Sequence, residues 1–343
     1  MKYKLEYKNK VISLNTVELL SRLTSLVGVS GEEESSFGML KELFSQYGTV
    51  SADTAGNVTV TREGEGKHIM LDAHLDTVGF IVTGITDDGF VRVSSVGGVD
   101  MRVVEGNELV FHGTEDIFGV VCTVPPHLSD GESRVSKDGT AVVDIGMTKE
   151  QAEKILSPGD RASFKNSFNI LSGECVSSPY IDDRGGIAVL LKALEYTNTK
   201  NKVTLVCSAQ EETGGTGAAC ASYNTDADIS LAVDVSFACT PDSNPTECGK
   251  MNGGAMIGYS PILDRGLTEM LVKLAEERNI PYQKEVMSGR TGTNADHITV
   301  SKGGIPTALV SLPIKYMHTP VETVDLRDIE SCARLIAEFL ERV

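Results

Sequence analysis

Residues 203–215 read Val203-Thr204-Leu205-Val206-Cys207-Ser208-Ala209-Gln210-Glu211-Glu212-Thr213-Gly214-Gly215, and the rest of the chain is organised around them. The first five residues form an apolar run, rich in β-branched side chains, that predicts a buried parallel strand. A glycine-rich turn follows and begins a helix of small residues. Glu211 and Glu212 therefore lie at the carboxyl end of a core strand, where open α/β sheets bind ligands. Because successive side chains of an extended segment point to opposite sides, one glutamate can bind a metal while the other faces a substrate.

Composition and charge limit the possible functions. The chain has 343 residues and a net charge of −17, with 41% hydrophobic and 23% charged residues. This length accommodates a large domain and a smaller one. The acidic balance argues against sequence-independent binding to nucleic acid or to an anionic membrane, so we expect neither partner. No apolar stretch reaches transmembrane length, and residues 1–8 lack the hydrophobic core of a signal peptide, which predicts a cytoplasmic protein.

The cysteines point to the same compartment. There are seven, an odd number, and none forms a Cys-x-x-Cys pair: Cys122, Cys175, Cys207, Cys220, Cys239, Cys248 and Cys332. This pattern is typical of a reducing cytoplasm, where thiols are buried or idle. It argues against a disulfide framework and against a zinc site built from thiolates.

The predicted elements divide the chain into three parts. Residues 1–79 alternate helices and strands and form the first part of a catalytic domain. From 80 to 168, short strands separated by turn signals such as Asp88-Gly89 and Asp138-Gly139 predict an inserted β-rich domain. The α/β alternation resumes over 169–343, the second part of the catalytic domain. The predicted fold class is α/β, with a mixed, mainly parallel sheet flanked by helices and a small β-rich insertion.

Four predicted core strands and two helices matter most for the site. The strands cover residues 68–73, 203–207, 228–234 and 305–310, and the last of them is expected to be the final strand of the sheet. The helices cover residues 184–196 and 326–341. We expect Asp234 to end its strand.

Acids and histidines follow these strands or begin a helix, at positions that a parallel sheet brings to one edge. They are His74, Asp76, Asp182, Glu211, Glu212, Asp234 and His318. Two imidazoles with several carboxylates and no thiolate suit Zn²⁺, Co²⁺ or Mn²⁺. The number of ligands is enough for two ions that share a carboxylate, about 3.5–4 Å apart.

Each residue alone also has a simpler interpretation. A lone histidine is more often structural than a ligand, but Asp76 lies two residues after His74, and a carboxylate commonly orients a histidine ligand. Asp182 and Asp183 could instead cap a helix. Glu211 and Glu212 could be two exposed acids, since surface glutamates are common. The ordered set, placed by the predicted strands, favours a metal site.

Five motifs span almost the whole chain, including the insertion, and their order and spacing resemble the M42 family of metallo-aminopeptidases. This glutamyl aminopeptidase-like family belongs to the dinuclear-zinc exopeptidases, whose fold the resemblance implies here. The motifs are His74-Leu75-Asp76-Thr77-Val78-Gly79-Phe80, Asp182-Asp183-Arg184-Gly185-Gly186, Gln210-Glu211-Glu212-Thr213-Gly214, Val233-Asp234 and Tyr316-Met317-His318-Thr319-Pro320-Val321-Glu322.

The resemblance implies a role for each ligand. His74, Asp182 and Asp234 would bind one metal ion. Glu212 and His318 would bind the second, and Asp182 would bridge the two. Zinc is the expected metal, with cobalt and manganese as alternatives.

The resemblance also implies the catalytic roles and the assembly. Glu211 matches the general base of the family, and Asp76 matches the partner of His74. The insertion corresponds to the dimerisation domain, and members commonly assemble from dimers into hollow tetrahedral dodecamers. We therefore expect a homo-oligomer.

These residues predict an aminopeptidase that removes N-terminal residues from peptides with a free N-terminus. A water that bridges the metals would be the nucleophile, and Glu211 would take its proton and deliver it to the leaving amine. One metal would stabilise the oxyanion. The preferred N-terminal residue is left open: Arg290 could pair with an acidic side chain, or it could be an exposed, solvated arginine.

Two other classes of function remain open. Another metallohydrolase, such as a deacylase or a carboxypeptidase, could use the same ligands. A glycan-acting enzyme is less well supported, because the chain has 6% aromatic residues and no Trp. The second class, a non-enzymatic assembly or scaffold protein with a vestigial metal site, would require a broken ligand set, and here every position is filled.

Overall fold

The structure of the protein is a computed structural model that describes residues 15–128 and 139–343. The chain start at residues 1–8 and the turn residue Asp138, which the sequence analysis interpreted, lie outside these ranges.

The described residues form helices and strands in an order typical of an α/β protein with a β insertion. The helices are α1 (Thr16–Thr24), α2 (Phe37–Phe44), α3 (Lys149–Ala152), α4 (Ile181–Tyr196), α5 (Thr216–Asn224), α6 (Arg265–Arg278), α7 (Ala295–Ile298) and α8 (Leu326–Arg342). The strands are β1 (Thr49–Ala52), β2 (Val58–Arg62), β3 (His68–His74), β4 (Gly79–Ile85), β5 (Val91–Val96), β6 (Glu108–His112), β7 (Asp116–Val121), β8 (Thr140–Asp144), β9 (Arg161–Phe164), β10 (Asn169–Ile170), β11 (Cys175–Ser177), β12 (Lys202–Ser208), β13 (Ile229–Phe237), β14 (Ala255–Tyr259), β15 (Tyr282–Val286), β16 (Thr307–Lys315) and β17 (Thr323–Asp325).

The main sheet is mixed, which confirms the predicted α/β fold class in part. Its order is β1-β2-β12-β3-β13-β16-β17-β11-β10, and β14 pairs with β15 and β16. The strands β12, β3, β13 and β16 run parallel, but the prediction of a mainly parallel sheet is wrong outside this centre, where most pairs are antiparallel. Three of these pairs, β1–β2, β10–β11 and β16–β17, have short connections that reverse the chain direction, whereas parallel neighbours need a longer crossover.

Both faces of the central strands are buried, as continuous apolar runs require. In β3, Ile69 and Leu71 join the larger core together with residues of α4 and α8. Met70, which points to the opposite face, packs in a smaller core with Val206 and Ile298. The alternation places one helix layer on each face, so the carboxyl ends of the strands remain as the open edge.

The stretch of short predicted strands forms a closed barrel in the order β4-β5-β8-β7-β6-β9. The barrel has its own apolar core, in which the rings of Phe80 and Phe164 meet edge to face at 5.4 Å. One short helix, α3 (Lys149–Ala152), accompanies the barrel strands. The first barrel strand, β4, begins five residues after His74, the last residue of β3.

Several elements differ from the sequence-based predictions. Strand β16 runs to Lys315, beyond the predicted 305–310, and it is not the last strand, because β17 follows. Strand β13 continues past Asp234 to Phe237. Strands β14 and β15 carried no clear strand pattern in the sequence, because β15 is largely polar and the neighbourhood of β14 is rich in glycine.

Cys239 and Cys248 form a disulfide, so the expectation of idle thiols is wrong for this pair. The chain leaves β13 and turns back so that Ala238 bridges to Gly249, which brings the two cysteines opposite each other. Among the helices of the described residues, none is long and apolar enough to cross a membrane.

Candidate metal centre and active site

The central strands bring distant residues to one edge of the sheet. Strand β3 ends at His74, and β12 ends at Ser208, which lies beside His74 in the parallel register. Glu211 and Glu212 follow from Ser208 through a short turn. Asp234 lies in β13, the neighbour of β3 on its other side. These residues converge because parallel strands end at the same edge.

The first potential ligand group consists of His74, Asp182 and Asp234, all buried. His74 Nε2 lies 3.0 Å from Asp182 Oδ1 and 3.8 Å from Asp234 Oδ1. The other ring nitrogen, Nδ1, lies 3.0 Å from the backbone oxygen of Asp76, which fixes the orientation of the ring. Nε2 therefore faces two carboxylates in the arrangement that a bound cation requires.

The second potential ligand group consists of Asp182, Glu212 and His318. His318 Nε2 lies 3.2 Å from Asp182 Oδ2 and 3.5 Å from Glu212 Oε1. Its Nδ1 lies 2.8 Å from the backbone oxygen of Gly98, two residues after the end of the barrel strand β5. Asp182 thus belongs to both groups, with one carboxylate oxygen directed at each histidine.

Asp76 and Glu211 lie next to these groups but belong to neither. The Asp76 carboxylate accepts the backbone N–H groups of Glu211 and Glu212, at 2.9 and 3.2 Å. Its Oδ1 also lies 3.6 Å from His74 Nδ1. The Glu211 side chain lines the same cavity as the two groups. Sequence reasoning named both residues, and the structure brings them to the same site.

The cap interpretation of Asp182 and Asp183 is correct for one residue of the two. Asp183 Oδ1 accepts the backbone N–H of Gly186 at 3.0 Å, as a helix cap does. Asp182 instead faces His74 and His318. The peptide bond between the two aspartates is cis.

The electrostatics of the site favour bound cations. Burial is the main cause that raises the pKa of Glu212 to about 8, and the charge of Asp182 is the second. Burial also raises the pKa of Asp234 well above its usual range, with a further contribution from Asp183. Such shifts mean that the carboxylates cannot all ionise together without a positive counter-charge. Nitrogen and carboxylate donors without thiolate fit a divalent metal of the zinc type.

The histidines and the shared aspartate shift in the opposite sense. Burial alone would lower the pKa of His318, but the Asp182 hydrogen bond and the charge of Glu212 raise it to about 9. The same balance, with Asp182 and Asp76 as partners, holds the pKa of His74 well above its usual range. Although burial opposes it, the two histidines lower the pKa of Asp182. Asp182 is therefore the carboxylate of the cluster that stays ionised most readily.

Glu211 has the electrostatic surroundings of a proton carrier. Burial raises its pKa, and although His74 opposes this shift, the charges of Asp182 and Asp76 add to it. A raised pKa brings a glutamate closer to neutrality, where a general acid–base residue works best.

The two groups lie at a cavity of about 570 Å³. The acidic residues that line it are Asp182, Glu211, Glu212, Asp234, Glu247 and Glu285, and the lysine among its lining residues is Lys284. This volume lies in the usual range for a small-molecule site. Arg290 is exposed and is not among the residues that line the cavity.

Sequence reasoning assigned no role to Glu322, although the residue lies in a quoted motif. Its carboxylate is buried and accepts the backbone N–H of His318 at 2.8 Å and that of Asp182 at 3.0 Å. It therefore fixes the backbone of two potential ligands that are distant in the sequence. In the sequence, the position of Glu322 four residues after His318 was the feature that could have indicated this role.

Comparison with known proteins identifies relatives that align with nearly the whole chain. A family model described as M42 glutamyl aminopeptidase matches residues 56–335. A protein of Acetivibrio thermocellus named putative aminopeptidase is 36% identical over 330 residues, covering 94% of this chain and 98% of that relative. The structure of an aminopeptidase from the archaeon Desulfurococcus kamchatkensis aligns with a TM-score of 0.90 at 34% identity, covering 96% of this chain and 95% of that one. The TET1 peptidase of Pyrococcus horikoshii, whose structure is described as able to assemble into a tetrahedron or a large octahedral shell, aligns with a TM-score of 0.84 at 32% identity, covering 96% and 100% of the two chains.

Proposed function

The chain belongs to the M42 glutamyl aminopeptidase family and is a metal-dependent aminopeptidase, and we propose that it removes N-terminal residues with two divalent ions and Glu211 as general base. The observation that carries this proposal is the position of Asp182, whose two oxygens face two histidines, in two ligand groups that share this residue.

The proposed ligands follow from these contacts. His74, Asp182 and Asp234 would hold one ion, and Asp182, Glu212 and His318 would hold the other. We propose zinc for both ions, with cobalt and manganese as alternatives, because all three accept imidazole and carboxylate ligands. When bound, such a pair supplies Lewis-acid polarisation of the scissile carbonyl and a water that is deprotonated near neutral pH.

Glu211 moves the proton in this proposal. Its carboxylate takes a proton from the attacking water and later delivers it to the nitrogen of the leaving amine. The raised pKa of Glu211 supports the second step, because burial favours the protonated carboxyl that donates to the amine. Asp76 supports both steps indirectly, since its hydrogen bonds to the backbone of Glu211 and Glu212 hold the turn that carries the two side chains.

The charge of the cavity supports an aminopeptidase over a carboxypeptidase. Apart from Glu211 and the proposed metal ligands, whose charges the two ions would offset, the acids that line it are Glu247 and Glu285, against one lysine. A protonated α-amine is attracted to such a cavity, whereas the terminal carboxylate of a carboxypeptidase substrate would be repelled. The free N-terminus of the peptide would therefore enter first.

We also propose that the chain forms a homo-oligomer and that residues 80–168 are its dimerisation domain. In the sequence, this domain separates the two parts of the catalytic domain, residues 1–79 and 169–343. On the barrel, Phe118 and Val120 of β7 are 62% and 47% exposed, and Val142 of β8 is 36% exposed. Adjacent exposed apolar side chains are typical of an interface. Assembly of dimers into a tetrahedral dodecamer would agree with the tetrahedron described for the TET1 relative.

A comparison of metal-loaded and chelated protein tests the proposal. The substrates are a peptide with a free N-terminus and the same peptide with an acetylated N-terminus. We expect release of the first residue only from the free peptide and only with metal. Cleavage of the acetylated peptide, or activity that survives complete removal of metal, would contradict the proposal.

A further inference from the structure

Glu285 occupies a defined position beside the metal groups. It lies on β15, at the far side of a sheet face that runs from Asp234 on β13 through Ser311 on β16 and β14. Ser236 Oγ donates a hydrogen bond to Glu285 Oε1, and Ser311 Oγ donates one to Oε2 at 2.7 Å. Each carboxylate oxygen is therefore held by one hydroxyl, and Ser311 itself is buried.

Two hydroxyls do not use the full capacity of this carboxylate. An ionised carboxylate has about four acceptor positions, so about two remain on Glu285. Within residues 15–128 and 139–343, the side-chain hydrogen-bond partners of Glu285 are these two serines, and no lysine, arginine or histidine forms an ion pair with it. Since Glu285 lines the cavity, a ligand can reach the remaining acceptor positions.

The surroundings of Glu285 suit a side chain with an apolar stem and a cationic end. Met256 lies opposite Ser311 in the β14–β16 pair, and Leu309 precedes Ser311 by two residues on the same face of β16. Both line the cavity. Lys284 is the adjacent strand residue, and its amine lies over the ring of Tyr259, 5.6 Å from the ring centre.

The spacing between Glu285 and the metal groups also fits such a side chain. Ser236 lies two residues beyond Asp234 in the same extended strand, a separation of about 7 Å. This is comparable with the reach of the four-carbon stem of lysine. A substrate whose α-amine and scissile bond lie at the metal groups would thus bring the end of a long side chain to the carboxylate that Ser236 and Ser311 hold.

We propose that Glu285 determines specificity and selects peptides whose N-terminal residue is lysine or arginine. The inference rests on the proposed aminopeptidase function and deepens it by naming the substrate class. Met256 and Leu309 contact the apolar stem, and Glu285 accepts the hydrogen bonds of the ammonium or guanidinium group. An N-terminal glutamate is repelled by the same carboxylate, whereas leucine leaves it without a cationic partner.

The first experiment measures kcat/KM of the metal-loaded enzyme for Lys-, Arg-, Leu- and Glu-p-nitroanilide. A charge-assisted hydrogen bond predicts a preference for Lys and Arg over Leu of roughly 10- to 100-fold. The Glu285→Gln variant keeps the side-chain shape but loses the charge, and we expect this preference to fall to within about threefold in that variant, from the same principle. Leu-p-nitroanilide turnover serves as the internal measure of intact chemistry.

Glu247→Gln is the matched control, because Glu247 also lines the cavity but is exposed. It removes the same charge from the same cavity, and we expect it to retain the preference for Lys. If Glu247→Gln and Glu285→Gln reduce the preference equally, the general field of the cavity selects the substrate and the proposal for Glu285 is wrong.

A binding measurement separates this inference from the proposed function. Calorimetric titration with L-lysine and with L-norleucine, which has the same stem without the second amine, requires no turnover. We expect the wild type to bind lysine at least about tenfold more tightly than norleucine. We expect Glu285→Gln to bind the two amino acids equally. Equal binding to the wild type overturns the role of Glu285. Selective lysine binding without hydrolysis of any substrate retains that role and overturns the aminopeptidase mechanism instead.

Discussion

Asp76 Oδ1 accepts a hydrogen bond from the backbone nitrogen of Glu211 at 2.9 Å. Asp76 Oδ2 does the same for the next residue along the chain, at 3.2 Å. One fully buried carboxylate thus fixes the turn after β12 that presents both glutamates. The general base and a metal ligand of our proposal therefore depend on the same anchor.

Replacement Asp76→Asn should lower kcat/KM by roughly 10- to 100-fold, the usual cost of removing a group that orients metal ligands. The asparagine NH₂ group would face a backbone N–H and leave it without an acceptor. Steady-state kinetics with saturating metal provides the measurement. Asp328→Asn is the matched control, because Asp328 also accepts two backbone N–H groups, those of Asn252 and Gly254, away from the site. We expect the control to lose stability but to keep its kcat/KM, and an equal loss of kcat/KM in both variants would contradict the anchor role of Asp76.

Replacement Glu211→Gln should abolish most turnover and retain both metals. General acid–base catalysis contributes roughly 10²- to 10⁴-fold, so we expect kcat to fall by that factor. Elemental analysis after gel filtration measures the metal content beside the kinetics. A variant that keeps near-normal kcat with both metals bound would refute the role of Glu211 as general base.

The number of bound ions should depend on which ligand is removed. Asp234→Ala affects the first group alone and Glu212→Ala the second alone, so each should leave about one ion per chain at limiting metal. Asp182→Ala removes the shared residue and should weaken both sites. Metal content by mass spectrometry distinguishes these cases, and an unchanged pair of ions in Asp182→Ala would be inconsistent with a bridging role.

Metal affinity should rise with pH. In the metal-free protein, the pKa of Glu212 is about 8 and that of His318 about 9, so both carry a proton at neutral pH. Metal binding requires their deprotonated forms and must release these protons, which favours binding at higher pH. We expect roughly tenfold tighter binding per pH unit for each proton released between pH 7 and 9. Chelator competition at several pH values measures this slope, and an affinity independent of pH over that range would contradict the assigned protonation states.

Much of the site follows from the sequence because its residues lie at the ends of apolar strands. The run before His74 is largely apolar and the run before Glu211 is rich in β-branched residues, so strand ends can be located and parallel neighbours inferred. The role of Asp182 could not be assigned from strand ends alone, since Asp182-Asp183 also matches a helix cap. Only the structure assigns capping to Asp183 and contacts with the histidines to Asp182.

Other features depend on pairings that no local pattern specifies. Strand β15 is polar and gives no strand signal, so the sequence offered no reason to connect Glu285 with Ser236 and Ser311. The Cys239–Cys248 disulfide depends on a turn after β13. The antiparallel pairs β1–β2, β10–β11 and β16–β17 arise from short connections whose geometry is set by their neighbours.

Anomalous diffraction from crystals of the zinc-loaded protein tests the central claim most directly, because it locates the ions and their ligands together. We predict two peaks about 3.5–4 Å apart, with the Asp182 carboxylate between them, His74 and Asp234 at one and Glu212 and His318 at the other. The absence of ordered zinc at this edge of the sheet, or a single ion that does not contact Asp182, would contradict the account.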